Sequence, residues 1–119
     1  MGLAQSIDGN TLYAACSAEN QDVQLGFCVG YIGGTWDGLK LGSSISLSFF
    51  MEENTIQEND IGSNAILSVC MPPNVENIQI IDVFTLYLEA NPAIRHETAR
   101  LLLLLSLQEA FPCDEFDAG

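Results

Sequence analysis

The sequence predicts an all-α fold, a small bundle of four to five short helices held by two intramolecular disulfides. Three observations carry this. Apolar residues recur in steps of three and four along two segments, which is the helical period. Proline and asparagine cut the chain into helix-length pieces. Four cysteines are present, Cys16, Cys28, Cys70 and Cys113, and none forms a C-x-x-C pair, which disfavours a zinc knuckle or a thioredoxin-like dithiol. An even count in a chain of 119 residues suits cross-links made in an oxidising compartment. The competing state is four buried free thiols. The length fits one domain, spanning residues 9–113.

Residues 1–8 are expected to be loose. Met1-Gly2 followed by Leu3-Ala4-Gln5-Ser6 reads as the start of a chain whose export signal has been removed. Asp8-Gly9-Asn10 then punctuates the sequence, with Asn10 expected to cap a short helix carrying Leu12, Tyr13 and Cys16. A longer helix follows from about Gln21 to Leu41, its apolar face formed by Leu25, Cys28, Val29, Ile32, Trp36 and Leu39. Gly26, Gly30, Gly33, Gly34 and Gly38 lie in the same segment, each costing a helix up to about 1 kcal/mol relative to Ala. Such a helix is expected to have neighbours packed closely on its bare backbone.

Residues 42–69 are ambiguous. Ile45, Leu47 and Phe49 alternate with serines as in a strand, yet the stretch also continues a helix through Phe50 and Met51. Glu52-Glu53-Asn54 and the run from Gln57 to Gly62 read as an exposed polar loop. Ile66, Leu67 and Val69 return the chain to the core. Met71-Pro72-Pro73 breaks it again. A helix is predicted from about Glu76 to Ala90, burying Ile78, Ile81, Phe84, Tyr87 and Leu88, with Ile80 and Val83 widening the stripe. Asn91-Pro92 stops it. The last helix is predicted to begin between Pro92 and His96 and to end at Ala110. Its five leucines, Leu101 to Leu105, cover every side, so either the helix is central or part of it meets a second subunit. Residues 114–119 form an acidic tail. Four cysteines permit three pairings. Cys16 and Cys28 flank one short helix connection, and Cys70 and Cys113 bracket the last two helices, so those two pairs are favoured.

Charge narrows the partners. Lys40, Arg95 and Arg100 stand against 16 carboxylates, for a net charge of −13. Phosphate binding needs Lys and Arg to displace counterions, so nucleic acid is disfavoured, and an anionic membrane surface with it. A basic protein is the natural complement, because opposite fields steer encounter. No apolar run reaches the roughly 18–20 residues that cross a bilayer.

Catalytic patterns are weak. His96 is the only histidine. His96-Glu97-Thr98-Ala99-Arg100 begins like a zinc-protease helix but places Arg at the second ligand position. No G-x-S-x-G elbow is present. Among 16 acids some pair always lies close, so paired carboxylates carry little weight. Gly30-Tyr31-Ile32-Gly33-Gly34 lacks the Lys-Ser/Thr of a phosphate loop. No catalytic residue, metal or cofactor is assigned.

Three stretches resemble a known family when taken in order. The first holds Leu12-Tyr13-Ala14-Ala15-Cys16 and Phe27-Cys28-Val29-Gly30-Tyr31-Ile32-Gly33-Gly34, with Asp37 shortly after. The second is Cys70-Met71-Pro72-Pro73-Asn74-Val75, then Val83 to Pro92. The third is Leu107-Gln108-Glu109-Ala110-Phe111-Pro112-Cys113. Together they resemble the Rap/Tai immunity proteins of type VI secretion. The resemblance implies an exported, all-helical, commonly dimeric periplasmic protein that neutralises a peptidoglycan amidase. It implies inhibition by occlusion, in which a loop between helices enters the amidase active site. Carried onto this chain, that loop is Glu89, Asn91, Pro92, Ile94, Arg95 and His96. Residues 42–65 are longer than the family's connection there and stand as an insert. The alternative is a periplasmic protein-binding or chaperone-like module with no toxin partner, its exposed leucines forming the contact patch. An enzyme, for instance a carboxylate-dependent hydrolase, is the third and least supported reading.

Overall fold

The computed structural model describes residues 6–19, 21–49 and 65–113. Among them are four α-helices with described ends, α1 (Gly9–Cys16), α2 (Asp22–Ser48), α3 (Asn77–Ala90) and α4 (Ala99–Ala110), a 3-10 turn at Pro92–Ile94, and a helical stretch at residues 65–67. No strand occurs among the described residues, only a single bridge between Asp8 and Thr98. The expected all-α fold is therefore observed. Both favoured disulfides are present, Cys16–Cys28 and Cys70–Cys113, with Cα–Cα separations of 5.1 and 5.0 Å. The first staples the end of α1 to the second turn of α2. The second ties the segment before α3 to the residues after α4.

One apolar core fills the space between the helices. Leu12 and Ala15 from α1, Cys28, Ile32 and Trp36 from α2, Ile80, Ile81, Phe84 and Leu88 from α3, and Leu102, Leu103 and Leu107 from α4 are buried together. The leucine run divides: Leu102, Leu103 and Leu107 face the core, while Leu101 and Leu105 remain exposed. Segment 67–70 adds Leu67 and Val69. It is fastened to the end of α4, where Gln108 Nε2 donates to the Leu67 carbonyl at 2.9 Å and Cys70 N–H donates to the Phe111 carbonyl at 2.8 Å.

Several boundaries differ from the sequence expectation. The cap of α1 is Asp8, not Asn10: its carboxylate accepts from the Thr11 N–H at 2.8 Å and the Thr11 hydroxyl at 2.9 Å. Helix α2 runs seven residues past Leu41, so residues 42–48 of the supposed insert continue that helix. The serines tolerate this because they bond backwards along it. Ser43 and Ser48 hydroxyls donate to the carbonyls of Lys40 and Ile45 at 2.9 and 2.7 Å, which satisfies them without water. Phe50, Met51, the polar loop from Glu52 to Gly62, the rest of the insert, residues 1–5 and the acidic tail lie outside the described residues. On α3 the buried stripe is Ile80, Ile81, Phe84 and Leu88, whereas Ile78 is exposed and Tyr87 only half-buried.

The last helix starts at Ala99, later than expected. Pro92–Ile94 takes the tighter 3-10 form, and the Asp8–Thr98 bridge then holds Thr98 extended, which cannot continue a helix. The glycines of α2 also break expectation. A Cβ built on Gly26, Gly30, Gly33, Gly34, Gly38 or Gly42 would meet nothing within 4 Å. They face open space, so no neighbour among the described residues approaches that backbone.

The Asp8 cap yields a pH-dependent prediction. Hydrogen bonds from the Thr11 N–H and then the Thr11 hydroxyl hold the Asp8 carboxyl below its usual range, with the charge of His96 adding in the same direction. The ionised form is thus favoured in the folded state. The cap's contribution is present above the ordinary aspartate value, about 3.9, and is lost as pH falls through the lower folded value. Asp8→Ala is expected to cost about 1 kcal/mol at neutral pH. Thermal melts of both proteins should converge in acid below that range; a gap that persists there would refute the cap's ionic character.

Candidate functional site

The connection between α3 and α4, residues 91–98, is a short turn fastened to the bundle by contacts with residues 7–10 and with the core. Asn91 ends α3, and its side-chain N–H₂ donates to the Tyr87 carbonyl at 2.8 Å. The 3-10 turn follows, because Pro92 favours the first position of such a turn and has no N–H to lose.

The start of the chain then grips the turn from outside. Gly9 N–H donates to the Glu97 carbonyl at 3.0 Å, Asn10 N–H to the Arg95 carbonyl at 2.8 Å, and Ala99 N–H to the Ile7 carbonyl at 2.7 Å. These bonds satisfy helix-end groups of both α1 and α4, which otherwise lack partners. The Arg95 guanidinium lies 4.3 Å from the centre of the Tyr13 ring, a cation–π stack. Ile94 packs against the core from the inner side of the turn. The backbone of the connection is therefore ordered by contacts within the chain itself.

Gly9 makes this grip sterically possible. A Cβ there would lie 2.5 Å from Leu102 Cδ1 and 2.8 Å from the Arg95 carbonyl oxygen. Gly9→Ala is expected to destabilise the fold by about 1–3 kcal/mol through overpacking. Hydrogen exchange at the Asn10 amide should quicken more than at core amides of α3. Uniform quickening would mean that Gly9 matters only for global stability.

The structure brings all six sequence-predicted partner residues to this one connection or to the helix end leading into it, but in different roles. Glu89, Pro92 and His96 are exposed. Asn91, Ile94 and Arg95 are half-buried and face the protein, as a helix cap, a core contact and a ring stack. Sequence reasoning missed Ala93 and Glu97, which are exposed beside the predicted residues, and Gly9 and Tyr13, which hold the turn. The Asp8-Gly9-Asn10 punctuation was the available signal for Gly9. Nothing in the sequence pairs Tyr13 with Arg95, which lie far apart along the chain.

The exposed surface of the turn suits contact better than chemistry. His96 Nε2 lies 3.5 Å from Glu97 Oε1, with both side chains largely in water. Among the described residues no three His, Cys, Asp or Glu side chains gather as a metal site. No described helix is long and apolar enough to cross a membrane.

The family model of the Rap1a immunity proteins matches residues 8–113. This chain belongs to the Rap1a immunity protein family. The match begins at the Asp8 cap and ends at Cys113, so it takes in the pinned turn and both disulfides. Membership in the Rap1a immunity proteins suggests a role in immunity to a type VI effector, and such proteins are generally non-catalytic. The two disulfides are consistent with export to the periplasm. Neither a search of curated proteins nor one of solved structures gave a match.

Proposed function

We propose that the protein is a periplasmic immunity protein that binds and occludes a peptidoglycan amidase toxin of the type VI secretion system. The observation that carries this is the turn at 91–98, ordered by three backbone bonds from the chain's start and presenting Pro92, Ala93, His96 and Glu97 outward. An ordered turn that meets a catalytic groove needs no reacting group of its own, and a preorganised one keeps more of its contact energy as affinity. Glu89, at the end of α3, extends the contact surface. Asn91, Ile94 and Arg95 act from beneath by positioning the turn.

The test is inhibition of the amidase encoded beside this chain, with wall peptide as substrate. Nanomolar inhibition is expected, competitive with the peptide. Replacing Ala93 with Arg together with His96→Glu should weaken binding about a hundredfold or more, a loss of roughly 3 kcal/mol. The fold should be unchanged, since both positions are exposed. Undiminished inhibition by that variant would place the contact elsewhere. Failure of the adjacent amidases to bind at all, with suppressed aggregation of unrelated unfolded proteins, would favour the chaperone-like reading.

The proposal includes a homodimer formed through the outer face of α2. Gly26, Gly30, Gly34, Gly38 and Gly42 recur every fourth residue there, in open space. Val23, Phe27 and Leu41 are exposed on the same helix. A bare glycine ridge flanked by exposed apolar side chains gains from being covered. Two such ridges crossing about a two-fold axis would bring backbones close without side-chain clashes. Light scattering should give twice the chain mass, and Gly34→Leu should give the monomer.

A further inference from the structure

A second surface is separate from the pinned turn. Helices α2 and α3 run antiparallel, and between them lies an open groove of about 480 Å³. Leu25 and Val29 form one wall, and Ile78, Ile81 and Leu86 the other. Val29, Ile78 and Leu86 are 50, 58 and 64 % exposed, so three large aliphatic side chains converge on one channel in water. Scattered apolar residues on a surface are ordinary, but a contiguous channel of them marks a contact site.

The charges around this groove share one sign. Asp82 lines it. Asp22 lies one turn before Leu25 on the same face of α2 and is exposed. None of Lys40, Arg95 and Arg100 lines it. A second copy docked on its own groove about a two-fold axis would set Asp22 and Asp82 against their counterparts, and like charges across an interface cost free energy.

We propose that the α2–α3 groove docks a basic amphipathic helix of a partner protein. Apolar side chains of the guest, one per turn, enter the channel between Val29 and Leu86. Lysines or arginines flanking them meet Asp22 and Asp82. This follows the helix-in-groove mode, in which apolar anchors supply affinity and the charged rim sets orientation and choice of partner. The proposal stands independently of the turn at 91–98.

The test titrates the isotope-labelled full chain with a designed leucine–lysine peptide of about 15 residues, long enough for a one-faced helix. A scrambled peptide of the same composition has equal charge but no apolar face. Amide shifts are expected along α2 and α3 around Val29, Ile78 and Leu86, with binding at least about tenfold tighter than the scrambled peptide. Ile78→Gln combined with Leu86→Gln leaves the charge unchanged and should weaken binding about tenfold. Asp82→Lys should weaken it as well, and it preserves the groove if the double variant folds poorly. Ala93→Arg with His96→Glu should leave this binding intact, which separates it from the toxin contact. Equal affinity for both peptides, or for wild type and double variant, would overturn the proposal in favour of diffuse charge attraction. A protein that changes from dimer to monomer in the double variant would overturn it in favour of a second copy.

Discussion

Phe84→Ala is expected to lower stability by about 3–5 kcal/mol and the midpoint of thermal unfolding by about 12–20 °C. Phe84 is fully buried and is the largest of the fully buried side chains. It lies on α3, which packs against α1, α2 and α4, so the cavity left by the ring would adjoin several elements at once. The disulfides limit how far those helices can close on the void. Chemical denaturation monitored by far-ultraviolet circular dichroism would measure the loss. A cost under about 1.5 kcal/mol would mean that the helices repack freely, and the core is less rigid than its burial implies.

Removing Cys70–Cys113 is expected to cost more than removing Cys16–Cys28. The first closes a sequence separation of 43, the second one of 12. In the chain-entropy account the corresponding contributions are about 4 and about 3 kcal/mol, because the longer loop restricts more of the unfolded ensemble. The comparison is between Cys70→Ser with Cys113→Ser and Cys16→Ser with Cys28→Ser, by urea denaturation. The opposite ranking would show that the α1–α2 staple works through native geometry. Cys70–Cys113 fastens the residues flanking α3 and α4 and does not touch the turn at 91–98. Toxin affinity of the Cys70/Cys113 variant, measured well below its melting point, should therefore stay close to that of the parent.

How much was legible depends on whether the signal was local. Periodicity placed α3 within one residue of its observed start and at its observed end, because a stripe containing Ile81, Phe84 and Leu88 repeats at the helical period. It misjudged Ile78, since a first-turn residue with the correct spacing still points to water when no neighbour covers it. The serines of α2 left the stretch ambiguous because alternation with Ile45 and Leu47 imitates a strand. Their hydroxyl bonds to carbonyls three residues back are visible only once the helix exists. For the candidate site, sequence nominated residues 89–96 but could not separate outward residues from inward ones. Ile94 and Arg95 belong to the base of the turn because of Tyr13 and the core, partners distant in sequence.

The amino-acid sequence alone settled the acidic character and pointed to the helical class, because these follow from composition and periodic spacing; it favoured one cysteine pairing of three, which the folded chain then fixed. Tertiary structure decided the rest: the cap at Asp8, the late start of α4, the bare glycine ridge and the grip of residues 7–10 on the turn. Each of those depends on which surfaces meet across long stretches of chain. Such contacts arise from packing the helices around one core, and no local pattern encodes them.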